Sequence, residues 1–116
     1  MTHHYILDPD NQVVPVASFA DYWRWLGAER KARDQELPVA TLQVAHDTWG
    51  DRPDCASTVF LGLDYNFGQG PLQVFETMLF TDGDDDESLW RYATWDEAVA
   101  GHARVVAAAK TGEAGR

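Results

Sequence analysis

The stretch TVFLGLDYNFGQGPLQVFETMLF, Thr58 to Phe80, holds two apolar runs around a glycine-rich centre. In the first run Val59, Leu61, Leu63, Tyr65 and Phe67 recur at every second position, the period of a strand with one buried face. The second run, Leu72 to Phe80, places Phe75, Thr77 and Leu79 on one side and Val74, Glu76, Met78 and Phe80 on the other. Between them, DYNFGQGP lacks the lysine and the following helix of a phosphate-binding loop, and its glycines suit a hairpin bend. A parallel arrangement needs a crossover of a dozen or more residues, most often a helix, and no helix fits here. The two runs are therefore expected to pair antiparallel.

Paired positions in a hairpin keep a constant sum, so placing residue 62 opposite 76 also sets 64 opposite 74 and 60 opposite 78. In that register Val59, Leu61, Leu63 and Tyr65 join Phe75, Thr77 and Leu79 as the core face. The other face collects Thr58, Phe60, Gly62, Asp64 and Asn66 with Val74, Glu76, Met78 and Phe80. Gly62 then leaves a notch beside the carboxylates of Asp64 and Glu76. Paired carboxylates suit acid–base work, because repulsion raises one pKa, or the holding of a hard cation. The apolar members of that face call for a cover, either the N-terminal arm or another chain. Phe60, Gly62, Asp64, Glu76 and Met78, with Trp25, are the candidate binding residues. None of them is assigned a catalytic role or a metal.

Outward from this centre the local signals are conventional. Tyr5-Ile6-Leu7 and Val13–Val16 flank the turn chemistry of Asp8-Pro9-Asp10-Asn11, and Pro15 restricts the second segment to an edge. Residues 4–16 thus form a short hairpin or arm. Ser18 is placed as a helix N-cap, with Asp21 three residues on. Phe19, Tyr22, Trp23 and Leu26 make the apolar stripe of a helix running to about Arg33, with Trp25 half covered at its border. Thr41–Thr48 reads as a strand, residues 49–57 as a polar loop and residues 81–88 as a solvated acidic loop. Thr94 and Glu97 form a capping box that opens a second helix, its inner face Trp95, Val99, His102, Val106 and Ala109. From about residue 111 the chain is a tail. The order implies one α+β domain over residues 1–116: an antiparallel sheet of three to five strands with two helices packed on one face.

Composition bounds the function. Nine Lys plus Arg against 19 Asp plus Glu leave a net charge of −10, which opposes direct nucleic-acid binding and favours a basic protein partner. The lone cysteine, Cys55, cannot form an internal disulfide or a structural zinc site, and Asp54 beside it does not favour a thiolate. No window of about 20 apolar residues suggests a membrane span, and the N-terminus has no signal-peptide layout, so a cytoplasmic protein is expected. His102 is expected as a satisfied core histidine. His3 and His4 are too few for a metal site, and no nucleophile elbow or metal-ligand spacing occurs. No cofactor is implied.

STVFLGLDYNFGQGPLQVFETMLF from Ser57, followed by RYATWDEAVAGHARVV from Arg91, resembles a family of small uncharacterised proteins of bacteriophages and of bacterial, often actinobacterial, genomes. The opening element His4-Tyr5-Ile6-Leu7-Asp8 and the aromatic helix bearing Trp23 and Trp25 extend the resemblance over most of the chain. Two positions depart from the pattern: Tyr65 stands where the family usually has histidine, and Leu72 where it has a second proline. The resemblance implies a phage or prophage setting and brings no activity with it.

Together these features suggest a non-enzymatic accessory protein that binds a protein partner, such as a host or defence protein, or assembles with itself. Two alternatives stay open: a small enzyme or ligand-binding domain using Asp64 and Glu76 with His102, and an acidic nucleic-acid mimic.

Overall fold

The computed structural model describes residues 4–35, 41–49, 54–66, 69–80 and 88–110, with the side chains of Asp54 and Ser88 excepted. The expected loop at 50–53, the bend at Phe67-Gly68, the acidic loop at 81–87 and the tail from 111 lie outside these residues.

The chain is an α+β fold with a two-stranded and a four-stranded antiparallel sheet and two helices. β1 (His4–Leu7) and β2 (Val13–Val16) form the N-terminal hairpin. Asp8 closes its turn, its Oδ1 accepting the N–H groups of Asp10 and Gln12 at 2.9 Å each, while Asn11 takes φ 61°. Pro15 is tolerated because β2 pairs on one side only. α1 (Phe19–Ala32) starts where the sequence places it, with Ser18 Oγ accepting from Asp21 N at 3.2 Å. β3 (Leu42–Trp49), β4 (Asp54–Phe60), β5 (Phe75–Phe80) and β6 (Ser88–Tyr92) then lie side by side in sequence order. α2 (Trp95–Lys110) closes the chain. Thr94 Oγ1 accepts the Glu97 N–H at 3.1 Å as the expected box requires, while the Glu97 carboxylate accepts the Thr94 hydroxyl and not the Thr94 N–H.

Both helices pack on one face of the four-stranded sheet. Leu42, Phe60 and Phe75 on that face meet Tyr22 and Leu26 of α1 and Ala98 of α2, and all six are buried. A second cluster joins Ala56 and Leu79 to Val105 and Val106 of α2, flanked by Trp49 and Trp90. The inner face of α2 is turned slightly from the expected stripe. Ala98 and Gly101 are buried while Val99 is exposed, and small residues let the helix approach the aromatic side chains of β6 closely. At Gly101 an added Cβ would overlap the Tyr92 ring. The stripe of α1 also differs. Tyr22 and Leu26 are buried, whereas Phe19 and Trp23 stand 53% and 51% exposed.

The main correction concerns the hairpin at the centre. The first strand does not span residues 58–67. It begins at Asp54, within the segment expected as loop, and stops at Phe60. Tyr65 N still bonds Gln73 O at 3.1 Å, as the constant-sum register requires. But Gly62, Leu63 and Asp64 then leave the pair, and Gly62 and Leu63 meet β1, where Tyr5 N donates to Gly62 O at 2.8 Å and His4 bridges Leu63. Leu61 N therefore meets Val74 O, Phe60 faces Phe75 and Val59 faces Glu76, three residues away from the expected partners. An odd displacement turns every side chain of the strand to the other face. Thr58 and Phe60 are core residues, and Val59 and Leu61 look outward.

Candidate functional site

The register correction redistributes the expected site. Phe60 is fully buried, facing Phe75 with ring centroids 5.1 Å apart, and cannot contact a ligand. Trp25 packs edge-on against Phe60 at 5.6 Å and belongs to the rim of the core. Gly62 lies outside the strand at φ 72°, directly against the Tyr22 ring. Asp64 is buried, its Oδ1 accepting the N–H groups of Asn66 at 2.9 Å and Gln73 at 3.0 Å, so it fastens the return of the excursion. Val74, expected on the open face, is buried with the core. Of the expected site, Glu76 and Met78 remain on the uncovered face, joined there by Phe80. The notch shared by Gly62, Asp64 and Glu76 does not form, because the excursion carries Gly62 and Asp64 out of the strand.

The face that no described element covers consists of cross-strand rows. Gln43, Val59, Glu76 and Arg91 form one row, and His46, Ser57, Met78 and Leu89 the next. Thr48, Cys55 and Phe80 follow, which sets Cys55 in a strand and not in a loop. Glu76 Oε2 accepts from Arg91 Nε at 3.1 Å. The Arg91 guanidinium also lies 4.9 Å from the centroid of Tyr65, tying the excursion to the sheet. A shallow cavity of about 260 Å³ runs along this face over Gln43, Val59, Leu61, Met78 and Phe80. Phe80 and Leu89 are 36% and 46% exposed.

Thr41 and Leu61 also line a second cavity of about 230 Å³, so the two share part of a wall. Its other walls are aromatic: His4, Phe19, Tyr22 and Tyr65. Phe19 meets His4 edge-on at 5.3 Å and stacks on Trp23 at 5.8 Å, with the planes 17° apart. Burial pushes the Tyr22 phenol up to about 12, with the Arg30 charge opposing and Tyr65 adding to the rise. Sequence reasoning missed this site. Its one legible signal was the excess of aromatic residues near the N-terminus of α1, which helical periodicity assigned to the core.

A third cluster is polar. His102 is buried as the sequence implies, with Nδ1 2.7 Å from Thr58 Oγ1 and Nε2 2.7 Å from Asp47 Oδ2. The Thr58 hydroxyl shares a further hydrogen bond with Thr77. An ionised Asp47 only accepts, so Nε2 carries a hydrogen; in the neutral ring Nδ1 accepts from Thr58, which accepts from Thr77. A hydroxyl, an imidazole and a carboxylate in series have the parts of a nucleophilic relay. Here Thr58 and Thr77 have no exposed surface, so the relay has no access to a substrate and serves to satisfy a polar core. Among the described residues no group of three His, Cys, Asp or Glu side chains is placed to hold a metal ion, and no helix is long and apolar enough to cross a membrane.

The fold and this surface define an α+β protein with one sheet face buried under helices and the other, among the described residues, left open beside an aromatic cavity. Comparison with known protein families, with curated proteins and with solved structures found no match.

Proposed function

We propose that this protein acts by binding another protein, or a second copy of itself, through the open face of the β3–β6 sheet, with the aromatic cavity beside it. The observation that carries this reading is the placement of Val59, Leu61, Met78, Phe80 and Leu89 on a face that no described element covers. Apolar side chains grouped on one exposed face mark an interaction surface more often than scattered ones do. The net charge of −10 favours a basic partner and speeds its approach. The sequence resemblance adds a phage or prophage setting, with a host or defence protein as the partner.

Chemistry at Asp64 and Glu76 has no support, since one carboxylate is bonded to loop amides and the other is paired with Arg91. A nucleic-acid mimic needs carboxylates aligned on one face. Among the described residues of the open face Glu76 is the sole carboxylate.

Light scattering and affinity capture with the native chain and a Phe80→Asp/Leu89→Asp variant test the reading. The native chain is expected to associate, and the variant to lose at least about tenfold in affinity at unchanged melting temperature. A native chain that stays monomeric and captures nothing overturns the proposal, as does a variant that associates equally well.

A further inference from the structure

We infer that the outer edge of β6, with the groove it forms against α2, is a docking site for an extended segment of a partner protein. That segment carries an apolar residue and, two positions away, a carboxylate. This margin of the sheet is separate from the open face, and its occupation does not depend on association through that face.

The backbone gives the first reason. β6 is the last strand in the order β3-β4-β5-β6, and β5 is its only strand neighbour among the described residues. In an antiparallel pair alternate residues turn their N–H and C=O groups toward the partner strand, so the others on β6 point outward. Such a row is the template on which a further strand adds. The opposite edge of the sheet is treated differently. There the Gln35 amide bonds both Gln43 N and Gln43 O, and Arg30 covers the Thr41 carbonyl. No described side chain covers β6 in this way.

The groove gives the second. Trp90 and Tyr92 lie opposite Thr77 and Phe75, two buried residues, and so stand on the helix side of the sheet. With Arg104, Val105 and Ala108 of α2 they line a cavity of about 220 Å³. A strand laid along β6 turns alternate side chains to this same side. A cavity of about 150 Å³ holds a benzene ring, so this one takes a side chain the size of leucine. The indole of Trp90 and the aliphatic groups of Val105 and Ala108 select an apolar one.

Charge gives the third, and it decides which chain fits. Arg104 is the one charged residue lining the cavity. Its neighbours three and four positions away on α2 are Ala100, Gly101, Ala107 and Ala108, so the helix offers it no carboxylate. It forms no ion pair among the described residues. On an added strand the next side chain facing this side is two positions along, about 6.5–7 Å away. A carboxylate there lies within reach of the long Arg104 side chain. A second copy adding through its own β6 would instead bring a second Arg104 to the same margin, and like charges oppose that pairing.

The test uses the whole chain and the fluorescein-labelled peptide Thr-Glu-Thr-Leu-Thr-Glu-Thr, followed by anisotropy. Its symmetry offers Arg104 a carboxylate in either strand direction. The peptide is expected to bind saturably below about 1 mM. Replacing both glutamates by glutamine should weaken it about three- to fivefold, the effect of one exposed ion pair. Arg104→Gln should abolish that difference, and Ala108→Leu, which fills the groove from the helix, should weaken the peptide at least about tenfold. Thermal melts confirm that both variants are folded; if Ala108→Leu is not, Arg104→Gln decides alone. Methylating the amide nitrogens of alternate peptide residues removes the donors on one side. Of the two alternately methylated forms, one should bind like the parent and the other should lose at least about tenfold. No saturable binding at about 1 mM overturns the inference. So does equal binding of the glutamate and glutamine peptides, a glutamate preference that persists in Arg104→Gln, or two methylated forms that bind alike. Self-association that disappears in a folded Ala108→Leu variant also overturns it, because a second copy then occupies the edge.

Discussion

The Nδ1 of His102 lies 2.7 Å from the Thr58 hydroxyl, beneath α2 and against the buried face of the sheet. This bond is the centre of a polar chain that begins at Thr77 and reaches solvent only at Asp47. Thr58→Val keeps the shape of the side chain but leaves His102 Nδ1 and the Thr77 hydroxyl without their buried partner, which costs about 1–3 kcal/mol. Asp47→Asn leaves a carbonyl that still accepts from Nε2, and the Asp47 side chain is 54% exposed, so the cost is below about 1 kcal/mol. Urea titration of both variants checks the order: a larger loss at the exposed carboxylate contradicts a buried role for the chain.

At Gly62 an alanine meets two obstacles. Its φ of 72° disfavours a side chain, and the new Cβ would overlap the Tyr22 ring. The expected loss is about 2–4 kcal/mol, from backbone strain together with overpacking. Gly27, inside α1 with nothing near an added Cβ, predicts the opposite, a gain of about 0.5–1 kcal/mol for Gly27→Ala. Thermal unfolding of the two variants resolves opposite signs.

The Tyr22 phenol, raised by burial from 10.0 to about 12, makes stability fall in alkali. The unfolded chain ionises this group near its ordinary value, while the folded chain holds it neutral. Its contribution is complete below pH 10, and it is lost as the pH rises from 10 to about 12. The native chain should lose about 1–3 kcal/mol more than Tyr22→Phe across that window in pH-dependent denaturation. Parallel curves for the two chains would exclude a buried, neutral Tyr22.

Gln35 acts as a substitute strand for the edge of β3. Its amide accepts from Gln43 N at 2.9 Å and donates to Gln43 O at 3.0 Å, while Arg30 covers the Thr41 carbonyl. An uncapped edge invites pairing with another chain. Gln35→Ala is expected to cost about 1–2 kcal/mol and to raise the aggregation rate on heating. Turbidity measured alongside circular dichroism follows both effects.

The Glu76–Arg91 pair is partly exposed, and a double-mutant cycle with Glu76→Gln and Arg91→Ala should return a coupling of about 0.5–1 kcal/mol. A coupling of several kcal/mol would mark a desolvated pair of the kind found in reactive sites.

Much of the fold was legible locally. Ser18 with Asp21, Thr94 with Glu97, and Asp8 with Asn11 each satisfy backbone groups within four residues, so their signals survive without tertiary context. The antiparallel pairing of the two central strands followed from their spacing. β6 was absent from the reading because Ser88–Tyr92 is short and follows an acidic run, and its pairing with β5 is what makes it a strand. The candidate site was the least legible part. Val59, Phe60 and Leu61 are consecutive apolar residues, so hydrophobicity alone does not say which of them faces inward.

The sequence by itself determined the helix starts, the turn of the first hairpin, the strand-rich centre and the acidic charge, because each depends on neighbours along the chain or on composition. Tertiary structure alone decided which face of β4 is buried and where the contact surface lies. Gly62 must yield to the Tyr22 ring from 40 positions away, and its carbonyl must meet Tyr5. Those distant contacts draw three residues out of the hairpin, and that odd displacement turns Phe60 inward and Val59 outward.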